Sequence, residues 1–270
     1  MGTLALRVTG GAKRYHGTGR DGLVFDRVDL EVEHGEVFAL LGPSGCGKST
    51  LLRAVAGLEP LSTGRIELGR GVRATPTRAV GVVFQEPRLL PWLSVAENVR
   101  LGLRYRANRH AAREARRERG EPVDQALRDF GLDGLAHAYP EELSGGQAQR
   151  VSLARTVVTE PSILLLDEPF AALDPRTRAT LQDWLLDVVR RRDLTVLLVT
   201  HDVEEALYLG NRVGLMCACP GTIVRTWDAG HTDGARRERS DARLQAIRRE
   251  ILSEYQSDVP DGPTPSSWVI

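Results

Sequence analysis

Apolar residues run almost without interruption through VFALL (37–41), ILLL (163–166) and TVLLV (195–199). Such runs are expected where a strand has both faces covered, as in a parallel sheet packed between helices. Looser alternation predicts further strands near 4–9 and 24–32, and VGVVFQ (80–85) predicts another buried strand. A helix is expected over about 48–57. Ser94 and Glu97 make a capping box ahead of helical sequence that lasts to about Phe130. The pattern is therefore an α/β core interrupted by a helical block over about 90–157, with a further tail after 230. The final stretch, SDVPDGPTPSSWVI, has the Pro, Gly and Ser content of a disordered terminus.

Composition narrows the partners. The 270 residues carry 36 basic and 36 acidic side chains, so no global field favours nucleic acid or an anionic membrane. The arginine-rich segment 104–120 is interrupted by Glu114 and Glu118 and reads as a solvated helix. No apolar run approaches the roughly 18 residues of a spanning helix. The opening MGTLALRVTG lacks a basic region followed by an apolar one, which predicts a cytosolic protein. Cys46, Cys217 and Cys219 are too few and too scattered for a metal site and read as small buried residues.

Candidate chemistry begins with GPSGCGKST, residues 42–50, set between a buried strand and a helix. It matches the phosphate-binding loop G-x-x-x-x-G-K-[ST], whose glycines let backbone N–H groups turn onto phosphate oxygens. Lys48 would reach the β and γ phosphates, and the Ser49 hydroxyl would help to hold Mg²⁺. Lysine is scarce, Lys13 and Lys48 against 34 arginines, and one of the two stands in this loop. There a compact ammonium is not replaceable by a planar guanidinium. ILLLDE (163–168) ends a strand in two carboxylates. Asp167 fits the Mg²⁺-linked acid, and alternation along the strand would send Glu168 toward an attacking water. LSGGQAQR (143–150) is a second Ser-Gly-Gly turn opening a helix, the form of a second phosphate cradle.

The ordered set of Tyr15, the loop 42–50, Gln85 after a strand, LSGGQ (143–147), ILLLDEP (163–169), ALDP (172–175) and His201 after a strand resembles the nucleotide-binding subunit of ABC transporters, over roughly residues 4–225. The resemblance implies an ATPase with a P-loop core, a mixed sheet, a β-subdomain and an inserted helical subdomain. It implies a first domain over 1–230, followed over 231–270 by a linker, a short helix and a disordered tail. In this family two copies pack head to tail, so that Ser144, Gly145, Gly146 and Gln147 of one would complete the ATP site of the other. Gly42, Pro43, Ser44, Gly45, Cys46, Gly47, Lys48, Ser49 and Thr50 would cradle the nucleotide and Tyr15 would stack on adenine. Ser49, Gln85 and Asp167 would attend Mg²⁺, and Gln85 would also sense the attacking water. Glu168 would be the general base, His201 the γ-phosphate switch and Asp174 the link across the dimer.

The stretch QEPRLLPWLSVAENVRLGL is similar to the nitrate, sulfonate and taurine importer branch, and SGGQ leans toward aliphatic sulfonate importers. PGTIVRTWDAG and a later helix, DARLQAIRREILSEY, resemble the same branch. Implied partners are a second copy, two transmembrane permease subunits and, indirectly, an external solute-binding protein, with the chain peripheral on the cytoplasmic face of the membrane. Of Leu89, Leu90 and Trp92, at least one is expected in the core and the others beside a groove for a permease helix. The competing class is a non-transport ABC ATPase acting on nucleic acid or the ribosome. A single nucleotide-binding motif set and the lack of a coiled-coil insertion between Gln85 and Leu143 speak against it.

Overall fold

The computed structural model describes residues 3–16, 22–69, 72–73, 79–104, 122–217, 220–230 and 241–258. They fall into two compact units, one within Met1–Ala74 and Leu197–Ile270, the other within Thr75–Val196. Most of the arginine-rich stretch, Cys219, the linker after Gly230 and the last twelve residues lie outside the described residues.

In the first unit, β1 (Leu4–Tyr15), β2 (Gly22–Glu33), β4 (Thr63–Leu68) and β5 (Val72–Arg73) form a four-stranded sheet in the order β2-β1-β4-β5, antiparallel throughout. Along β2, Val28, Leu30 and Val32 are buried while Asp29, Glu31 and Glu33 face solvent. This is the half-buried alternation that the sequence predicts. Strand β1 outruns its predicted end near residue 9. Hydrophobic alternation breaks at Gly10 and Gly11, yet the register merely shifts between Val8 and Gly11 and the ladder resumes. A bulge of this kind carries a strand through glycines that look like a stop.

Strand β3 (Val37–Leu41) is buried at all five positions and pairs in parallel with β9 (Arg212–Cys217), which β10 (Thr222–Asp228) extends in antiparallel fashion. Between β3 and β4, α1 (Lys48–Val55) buries Leu51, Leu52, Ala54 and Val55. The unit also holds α6 (Val203–Leu209) and α7 (Ala242–Asp258). The helix expected after the linker is thus present, and it runs 17 residues. Leu244, Ile247, Ile251 and Tyr255, spaced to share one stripe, are buried where α7 packs on α6 and β9. Glu250 of α7 accepts hydrogen bonds from Arg225 (2.6 Å) and from the Trp227 indole (3.0 Å) of β10.

In the second unit, β6 (Val80–Val83) runs parallel to β7 (Ile163–Asp167), with Val80 opposite Ile163 and Val83 opposite Leu166. Its helices are α2 (Val95–Arg104), α3 (Pro122–Asp129), α4 (Gly145–Val157) and α5 (Pro175–Arg192). The Ser94 capping box is present in both halves. The Ser94 amide donates to Glu97 Oε2 (2.9 Å), and the Glu97 amide donates to Ser94 Oγ (3.3 Å). Helix α4 packs on α2, α3 and α5, and an edge-on contact of Phe130 with Trp184, 4.4 Å between centroids, lies in the same core. Strand β8 (Thr195–Thr200), buried throughout, leads the chain from this unit back to the first.

Candidate nucleotide site

The loop 42–50 connects β3 to α1 as its sequence requires. Gly45 (φ 86°) and Gly47 (φ 104°) take left-handed backbone angles that other residues reach only with strain. Lys48 is 4% exposed, and its ammonium donates to the carbonyls of Gly42 (2.7 Å) and Pro43 (2.8 Å). Both acceptors are neutral, so the loop orients the charge without cancelling it, which suits a phosphate. Burial pushes the Cys46 thiol above its usual range, with the nearby Lys48 charge opposing that effect.

The loop rests on neighbours that its own sequence does not reveal. A Cβ on Gly42 would come within 2.2 Å of the Met216 carbonyl oxygen at the end of β9. One on Gly221, in the turn before β10, would come within 2.0 Å of the Cys46 carbonyl oxygen. Gly221 is itself tied to β2, donating its amide to Val24 O and accepting from the Asp26 amide, both at 2.9 Å.

Tyr15 is brought to this loop. Its hydroxyl bonds to the Glu59 carboxylate and the Thr50 side chain, and Lys13 Nζ stands 4.9 Å from its ring centroid. The Glu59 hydrogen bond is the main reason that the phenol is held above its ordinary pKa, and the Thr50 bond works the other way. Lys13 is anchored by the Pro60 carbonyl (2.8 Å), with Glu59 at 3.7 Å. The scarcity of lysine was a usable signal for Lys13. Nothing in the sequence marks Glu59.

In the second unit, β7 ends at Asp167, and Glu168 takes a left-handed conformation with φ 47°. The expectation that strand alternation aims Glu168 therefore does not hold. A turn aims it, because the chain leaves the strand one residue sooner. A non-glycine residue in this region costs about 1–3 kcal/mol, and such strain collects at functional sites. Both carboxylates are half-buried.

Ser144 is the N-cap of α4. Its Oγ accepts from the Gln147 amide (3.3 Å), and its own amide donates to Gln147 Oε1 (2.8 Å). This reciprocal box fixes the turn while Ser144 and Gly145 remain exposed. A Cβ on Gly146 would come within 2.5 Å of Thr177 Cγ2 in the first turn of α5. Asp174 caps α5, its Oδ1 accepting from the Arg176 and Thr177 amides, both at 3.1 Å. The bonds from Thr177 hold its carboxyl below the usual range. Gln85 is exposed just beyond β6. His201 is half-buried beyond β8, where Asp202 caps α6 by accepting from the Glu205 amide (3.1 Å).

The Asp174 cap has a pH signature. A carboxylate whose folded pKa is depressed adds stability above its unfolded pKa, and that stability is lost as pH falls through the folded value. Asp174→Ala should melt below the parent at neutral pH, and the gap should close once both are acidified well beneath the carboxylate range. Thermal melts at the two pH values check this.

A family model described as ABC transporter matches residues 25–171. The chain belongs to the ABC transporter family. It is 46% identical over 254 residues to the aliphatic sulfonates import ATP-binding protein of Burkholderia cenocepacia (strain HI2424), covering 94% of this chain and 87% of that one. It is 41% identical over 254 residues to the protein of the same name from Bacillus subtilis (strain 168), covering 94% and 95%. Among solved structures, cbiO1 from Clostridium perfringens, part of the ABC transporter complex cbiONQ, superposes with a TM-score of 0.72 at 25% identity, over 93% of this chain and 94% of that one. The ATP-binding cassette MJ0796, dimeric in a post-hydrolysis state with ADP and Pi, gives 0.69 at 29% identity, over 84% and 100%. The mixed α/β ABC ATPase fold expected from the sequence is thus the fold of this chain, and its activity is ATP hydrolysis.

Proposed function

We propose that this chain powers an importer of aliphatic sulfonates or a related small oxyanion, working as a pair of copies on two transmembrane permease subunits fed by an external solute-binding protein. The carrying observation is the 41–46% identity, over 94% of the chain, to proteins named for aliphatic sulfonate import. Among the described residues no helix is long and apolar enough to cross a membrane, which fits attachment to the cytoplasmic face through the permease. Trp92, 69% exposed beside half-buried Leu89 and Leu90, is the side chain of that apolar trio best suited to meet a permease helix.

In this reading ATP binds residues 42–50 with Tyr15 against adenine and Lys48 on the β and γ phosphates. Glu168 orients or deprotonates the attacking water, and His201 contacts the γ-phosphate. Ser49, Gln85 and Asp167 offer hydroxyl, amide and carboxylate oxygens, a hard donor set suited to Mg²⁺ shared with phosphates rather than to a soft metal. When bound, Mg²⁺ would neutralise phosphate charge. Ser144, Gly145, Gly146 and Gln147 present a preformed helix N-terminus to the triphosphate held by the second copy. Asp174 lies on the same edge through the Gly146–Thr177 contact and would link the two sites.

Deleting the gene should abolish growth on an alkanesulfonate as sole sulfur source, with sulfate growth intact. The wild-type chain should restore it and Lys48→Ala should not. Unimpaired alkanesulfonate growth of the deletion strain would refute the sulfonate assignment.

A further inference from the structure

The loop between Gln85 and α2 is exposed at its tip yet tightly held. At its first half, Arg155 of α4 donates from Nη2 to the Pro87 carbonyl and from Nη1 to the Arg88 carbonyl, both at 2.8 Å. Arg88 is in the left-handed region at φ 46°, with its guanidinium 4.8 Å from the Phe84 ring centroid. A strained turn is thus clamped at two successive carbonyls by charged donors, which are stronger than neutral ones. At its second half, Asn98 is fully buried. Its Oδ1 accepts from the Leu90 amide (2.9 Å), and its Nδ2 donates to the carbonyls of Leu90 (3.2 Å), Leu93 (2.9 Å) and Ser94 (3.1 Å). Trp92 sits inside that frame.

Arg155 stands near the far end of the helix that Ser144 caps, eleven residues and about 16 Å along its axis. Helix α4 is closely packed at this far end. A Cβ on Gly81 of β6 would come within 2.5 Å of Thr156 Cγ2, and one on Gly102 of α2 would come within 2.4 Å of the Arg155 carbonyl oxygen. The helix has no slack against the strand that leads to Gln85 or against the helix that follows Trp92.

We propose that Arg155 is a positioning residue that ties the Ser144 turn to the Trp92 loop, so that engagement of the turn by the partner copy's nucleotide is felt at Trp92 through α4. This rests on the dimer reading above and names the side chain that carries its signal. Rigid packing supplies the lever, and the strained Arg88 turn supplies an element that shifts when its clamp moves.

The test is hydrogen exchange of residues 86–94 in the full chain carrying Glu168→Gln, with and without ATP and Mg²⁺, alongside its mass in solution. The Glu168→Gln protein should dimerise with ATP and change its exchange over 86–94. Adding Arg155→Gln should leave dimerisation intact but speed exchange over 86–94 by about tenfold and erase its response to ATP, while amides of α4 keep theirs. Arg155→Lys, which keeps the charge but not the two-pronged reach, should recover part of the response. An unchanged ATP response in Arg155→Gln overturns the proposal alone. Loss of dimerisation and of α4 protection together also overturns it, by making Arg155 a general support of the fold. If the Glu168→Gln protein never dimerises, the two-copy reading falls and the proposal falls with it.

Discussion

Glu168→Gln should bind ATP with unchanged affinity, hydrolyse it some 10²–10⁴ times more slowly, and accumulate as an ATP-bound dimer. The amide keeps the size of the side chain and one acceptor oxygen while removing the basic carboxylate. The left-handed backbone at φ 47° adds a second, independent expectation. Glu168→Gly removes the acceptor too but relieves backbone strain, so it should be as inactive as the glutamine variant and melt higher than the parent, by the equivalent of about 1 kcal/mol. ATPase assays, size measurement and thermal melts separate the two effects. Turnover within a few-fold of the parent in either variant would remove Glu168 from the chemistry.

Gly221→Ala should damage binding rather than chemistry, although Gly221 lies outside every nucleotide motif. Its new methyl would sit 2.0 Å from the Cys46 carbonyl oxygen and 2.7 Å from Met216 Cε. The first neighbour is backbone of the phosphate loop itself and cannot rotate away, so the loop or the turn must shift. Overpacking of this kind costs about 1–3 kcal/mol of stability. Because the displaced atoms belong to the cradle, nucleotide affinity should fall by about tenfold or more, the loss expected when an aligned set of charge-assisted bonds is disturbed. Gly134→Ala, where the added carbon meets nothing within 4 Å, is the matched control and should bind normally. Equal affinities for the two variants would show that the loop tolerates movement at Cys46.

The contrast between these residues shows which parts of the site could be read in advance. The phosphate loop, the apolar run ending at Asp167 and the Ser144 turn are each dictated by neighbours a few residues away, so period and glycine placement expose them. Glu168 stands out in the sequence as a candidate but its conformation does not, since alternation assumes that a strand continues and nothing local announces a left-handed exit. Strand β1 outruns its predicted end for the converse reason: paired glycines look like a stop, but the ladders to β2 and β4 carry the strand through them. Tyr15 was legible, whereas its partner Glu59 is 44 residues distant, and Arg155 reaches back 67 residues to Arg88. Contacts of that range arise from packing and leave no periodic trace.

The treatment of lysine has a practical side. The chain has two in 270 residues. One is folded into the phosphate loop and the other lies across the aromatic ring that Thr50 ties to that loop. Acylating reagents aimed at side-chain amines therefore have a single neighbourhood to attack in the native molecule. The rate at which they succeed reports how often these two buried amines become accessible.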